Sequence, residues 1–119
     1  IHFERMIHHE IFHMIDNSHP RLFNKKEWSQ LNDKNFSYAK CSTCTNLLGL
    51  DIKKNNGFLT KYSMSTAEED MAEIYSLLKT NFYEIDLLIK NDKILLKKKN
   101  FLLNSLKKID KNFNFLNDK

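Results

Sequence analysis

Phe3-Glu4-Arg5-Met6-Ile7-His8-His9-Glu10-Ile11-Phe12-His13-Met14-Ile15-Asp16 has the composition of a helix, and a His-Glu-x-x-His pattern sits inside it. Positions four apart share a helix face, so His9 and His13 can offer ring nitrogens to one metal ion. Glu10 lies one step round from His9, where a carboxylate can reach a water on that metal. Zinc brings the pKa of such a water down towards about 7, and a carboxylate base can then take its proton. Phe3, Met6, Ile7, Phe12, Met14 and Ile15 are apolar around most of the helix and predict that it is buried in a core. Three polar groups buried there need partners, and a metal ion would satisfy them. The plain alternative is a polar face with solvated histidines, His8 among them. Asn17, Ser18 and Pro20 end the helix, because Pro20 pushes its predecessor out of the helical region.

A zinc ion on this pattern needs a third protein ligand, and the residues leave two candidates open. His19 stands ten positions after His9, the spacing of the metzincin pattern HExxHxxGxxH. That pattern uses its glycine for a left-handed turn, and here the position is Asp16. Met64, in Tyr62-Ser63-Met64-Ser65, matches a Met-turn only loosely. The second candidate is Glu69. Ser65 or Thr66 can cap a helix that starts Ala67-Glu68-Glu69-Asp70, and acidic residues suit its positive N-terminal end. Glu69 and Glu73 are four apart and share a face. Taken alone, this is also an ordinary acidic helix start.

The segment from Gly57 to Glu73 resembles the second motif of gluzincin peptidases related to anthrax lethal factor. It is similar as well to bacterial proteins described as putative zinc-binding metallopeptidases. In these an HExxH helix, often ending in Asp as at Asp16, precedes a Tyr-containing loop and then a helix of the form E-x-x-A-E. The resemblance runs from about His8 to Tyr75, with a variable stretch between the motifs. It implies that one zinc ion is held by His9, His13 and Glu69. It also implies that Glu73 supports a zinc-bound histidine and that Tyr62 donates a hydrogen bond to the oxyanion. Export is favoured on the same ground.

The remaining sequence bounds this reading. The chain has 119 residues, a length that predicts one domain over residues 1–119. It begins at Ile1 with no initiator Met, which predicts a piece of a longer precursor. Two Gly and one Pro among many Leu, Ile, Lys and Glu favour helix. Zincin domains place a mixed sheet before the HExxH helix, and no room for one precedes it here. The expected fold is therefore mainly α, a zincin-like helical metal-binding domain that corresponds to the C-terminal part of the α+β zincin fold.

Trp28, Leu31, Phe36 and Tyr38 are spaced through polar residues as an ordered loop, with a short helix over 26–31. Cys41 and Cys44 form a lone CxxC pair, read as two thiols or, after export, a local disulfide. Ile85, Leu88, Ile89, Leu95, Leu102, Leu106, Ile109 and Phe113 recur at helical spacing. They predict helices over 81–90 and 93–111, parted near Asn91-Asp92, docked as a hairpin with solvated lysines. Net charge is +4, yet arginine is nearly absent and acidic clusters flank the proposed metal, so nucleic acid is not an expected partner. No apolar run reaches transmembrane length.

The sequence thus predicts a zinc metallopeptidase that hydrolyses peptide or protein substrates with Glu10 as general base. The alternative is a catalytically inactive or truncated zincin-like module that binds protein.

Overall fold

Thr66 accepts a hydrogen bond from the Glu69 amide at 3.0 Å and so starts the helix on which the molecule is organised. The computed structural model describes residues 2–39 and 56–116. Among these residues the elements are α1 (His2–Ser18), α2 (Lys25–Ser29), a 3-10 turn (Tyr62–Met64), α3 (Ala67–Thr80), α4 (Phe82–Lys90) and α5 (Lys93–Ile109), with no strand. The mainly α expectation is met. Cys41 and Cys44 lie outside the described residues.

α3 is the central element and touches every other one. Met71, Ala72, Ile74, Tyr75 and Leu78 are all buried, so it is apolar on nearly every side, as a central helix must be. Phe12 of α1, Phe23, Trp28 of α2, Ile89 of α4 and Leu102 of α5 complete the core around it. Ring contacts tie these pieces together: Phe12 lies edge-on to Phe23 at 5.2 Å, and Trp28 edge-on to Phe101 at 5.4 Å.

The expected hairpin forms. Its break falls at Asn91-Asp92, where Asp92 Oδ1 accepts from the amides of Ile94 and Leu95 and caps α5. The second oxygen of Asp92 accepts from the Gly57 amide at 2.8 Å. Gly57 has φ +92°, and a Cβ there would meet Ile94 Cγ2 at 2.5 Å, so only glycine fits this crossing. α5 stops at Ile109, short of the expected 111, because Asp110 leaves the helical region. Leu88 points outward, whereas Ile85 and Ile89 face the core.

Two expectations are overturned: Lys98, expected among the solvated lysines of the hairpin, is fully buried on α5, and α1 is only partly covered. α1 is not buried all round: Phe3 is 73 % exposed and Met14 67 %, with Met6 and Ile7 also outward. The helix packs on α3 through the face that carries His9, Phe12 and Asp16, and no described element lies over the other. No helix among the described residues is long and apolar enough to cross a membrane.

Candidate metal centre

α1 and α3 pack side by side, and their facing turns bring His9, His13 and Glu69 together. Glu69 Oε1 lies 2.7 Å from His9 Nε2 and 2.9 Å from His13 Nε2. The two Nε2 atoms are 3.2 Å apart. One helical turn sets the spacing of the histidines, and Glu69 meets them from the first turn of α3. His19 does not join this group. It lies past the C-terminal end of α1, where its Nδ1 is 3.0 Å from the Ile15 carbonyl. His8 faces elsewhere, 6.4 Å from the Tyr75 ring.

Glu73 stands one turn after Glu69 and behind His9. Its Oε2 is 3.0 Å from His9 Nδ1, and an ionised carboxylate only accepts, so Nδ1 carries the hydrogen. Glu73 Oε1 accepts from Arg5 Nη2 at 2.5 Å and from Thr60 Oγ1 at 2.8 Å. Burial raises the Glu73 carboxyl, but the bonds from His9 and Thr60 and the Arg5 charge outweigh it and hold the group below its ordinary value. Burial likewise lowers His9, yet Glu73 and Glu69 more than offset it and the ring ends above its ordinary value.

The donor set fits a metal ion. Two imidazole nitrogens and a carboxylate oxygen converge on one point, the ligand chemistry of catalytic zinc. Ligands about 2.0–2.1 Å from a tetrahedral zinc stand roughly 3.3 Å from one another. The two nitrogens already have nearly that separation, and Glu69 needs to draw back by about half an ångström.

A cavity of about 170 Å³ opens beside His9, lined by Arg5, Met6, His9, Glu10, Tyr62 and Glu73. Glu10 is exposed on its wall. Tyr62 sits in the 3-10 turn, its ring centroid 6.0 Å from that of His9 and its side chain 41 % exposed. His9, His13, Glu69, Glu73, Glu10 and Tyr62 therefore each border the ligand cluster or this cavity, and of the candidates His19 alone does not. Reading by sequence missed Arg5 and Thr60. The signal for Arg5 was available, since it stands four positions before His9 on the same helix.

Asp16 is buried and accepts from Lys25 Nζ at 2.7 Å, so it ties the end of α1 to the start of α2. Trp28 and Tyr38, from the stretch expected as an ordered loop with a short helix, both donate to Asp70.

A family model described as "Putative zinc-binding metallo-peptidase" matches residues 1–117. No curated protein and no solved structure matches.

Proposed function

Because the chain belongs to the putative zinc-binding metallo-peptidase family, we propose that it is a zinc-dependent peptidase of gluzincin type. His9, His13 and Glu69 would hold the ion. The observation that carries this reading is the convergence of His9 Nε2, His13 Nε2 and Glu69 Oε1 beside a cavity bordered by an exposed Glu10. When bound, zinc supplies a Lewis acid for the scissile carbonyl and lowers the pKa of a water. Glu10 takes the proton from the attacking water and returns it to the leaving amine, acting as base and then as acid. Tyr62, which also lines the cavity, donates a hydrogen bond to the carbonyl oxygen as negative charge builds there. Glu73 holds the His9 ring from behind.

The test pairs bound zinc with turnover. Wild type is expected to carry zinc by elemental analysis and to cleave an unstructured protein such as casein. Glu10→Gln should keep the zinc and lose about 10²–10⁴-fold in rate. Undiminished cleavage by that variant sinks the mechanism.

A second reading, a catalytically silent module that binds protein, draws on the outward apolar residues Phe3, Ile7 and Met14 of α1. Zinc uptake with no cleavage of any peptide by the wild type would favour it.

A further inference from the structure

We propose that Arg5 and Thr60 are positioning residues of the metal centre: together they lock Glu73 so that it fixes the His9 ring with Nε2 aimed at Glu69. The inference rests on the zinc reading above and adds two residues to it.

A helix fixes where the His9 side chain starts but not how its ring is turned, because the last torsion of a histidine is broad. The ring is set by what Nδ1 bonds, and that is Glu73 Oε2 at 3.0 Å. Glu73 on its own has the same freedom, since its terminal torsion is also broad. Its other oxygen removes that freedom. Oε1 is gripped by Arg5 from α1 and by Thr60 from the segment before the 3-10 turn. Thr60 is itself placed by its hydroxyl contact with Ser63 Oγ at 2.9 Å and by the Ser63 amide at 3.1 Å.

Arg5 and His9 are one turn apart on α1, so the helix fixes their separation. Glu73 spans that turn, with one oxygen on each, and the three side chains brace one another. Arg5 also supplies the positive charge that a nearly buried carboxylate needs, because a buried charge without a partner is strongly unfavourable. Among the described residues the guanidinium bonds no other side chain. Its role therefore runs through Glu73.

The experiment is zinc affinity, measured by competition with a chromophoric chelator at fixed pH, alongside the melting temperature of the metal-free protein. Glu73→Gln should weaken zinc binding about 10–100-fold. Arg5→Ala should weaken it roughly tenfold, and Arg5→Lys should recover most of that loss. Thr60→Val, which keeps the shape of the side chain, should cost roughly threefold through one lost hydrogen bond.

The double variant decides the matter. Arg5→Ala placed on Glu73→Gln should bring no further loss, because the residue through which it acts is already gone. Wild-type affinity in both Arg5→Ala and Thr60→Val overturns the proposal. So does a full, additive loss in the double variant, which would mean that Arg5 acts on the site by another route. A wild type that takes up no zinc overturns the metal reading itself, and this proposal with it.

Discussion

Glu69 and Asp70 are neighbours in the first turn of α3, yet they serve two polar clusters of opposite character. Asp70 and Lys98 are both fully buried, and their charges meet at 2.8 Å. Asp70 Oδ2 also accepts from Tyr38 at 2.7 Å and Trp28 at 3.1 Å, and Lys98 Nζ donates to the Gly57 carbonyl at 2.7 Å. The ammonium lies 3.9 Å from the centre of the Phe58 ring. Protein groups bond this pair from three further segments, those of Trp28, Tyr38 and Gly57, while Asp70 Oδ1 is buried without a hydrogen-bond partner among the described residues. The Glu69 cluster is part-exposed and made only of groups able to ligate a metal, with a cavity beside it. One step along the helix separates a tie that holds the fold from a site that can take an ion.

The largest effect is expected where the sealed pair is broken on one side. Lys98→Met leaves Asp70 buried without its cation, a situation that costs about 3–5 kcal/mol. Urea denaturation of the metal-free protein should read that loss, while zinc affinity per folded molecule stays near wild type. A loss below about 1 kcal/mol would erase the distinction drawn between the clusters.

Glu69→Ala is the mirror experiment. The side chain is part-exposed, so stability should move by no more than about 1 kcal/mol. Zinc uptake should fall away, and His19→Ala should keep it. Zinc retained by Glu69→Ala but lost by His19→Ala would return the third ligand to the metzincin spacing.

The two clusters also differ in how far the sequence exposes them. His9, Glu10, His13 and Glu69 are legible because their chemistry follows a local spacing, one helical turn at a time. The cap of α3, read as Ser65 or Thr66 and found at Thr66, and the break at Asn91-Asp92 are legible for the same reason. Lys98 was read as one solvated lysine among many. The signal against that reading was its place in the stripe of Leu95, Leu102 and Leu106, all of them buried. What could not be read is the partner, since Asp70 is 28 positions away and the pairing exists only after packing. Arg5 and Glu73 are 68 apart, and the same argument applies. α1 misled in the other direction. Apolar residues all round a helix do not say which sides a neighbour covers, and the outward side carries Phe3 and Met14.

A smaller effect comes from pH, and it should separate the clusters because only the open one holds a histidine. His9 in the metal-free protein is raised above its ordinary value: burial works against the charge, and Glu73 and Glu69 outweigh it. A raised histidine contributes stability that is fully present below about 6.5 and is lost as pH rises through its folded pKa. Zinc needs the Nε2 lone pair, so the proton competes with it. Affinity should therefore be flat at high pH and fall by up to about tenfold per unit as pH drops through the His9 pKa, starting above 6.5. Glu73 has the opposite sign. Its lowered pKa contributes stability above about 4.5 that is lost as pH falls through the folded value. Chelator competition across pH 5–9 checks the first slope, and the unfolding midpoint of the metal-free protein checks both signs.

The smallest effect tests what the clusters share. Thr66 caps the turn that carries both Glu69 and Asp70, accepting from the Glu69 amide itself. Thr66→Ala should cost about 1 kcal/mol of stability, the ordinary worth of such a cap. Asp70 is held by Trp28, Tyr38 and Lys98 from three segments, so the turn should stay in register when the cap is removed. Zinc affinity should then fall by no more than about fivefold, the equivalent of the same 1 kcal/mol. A much larger loss of zinc with little change in stability would mean that the sealed pair does not hold the turn for its neighbour. The open cluster would then depend on the cap alone, and the two would be independent despite sharing a helix.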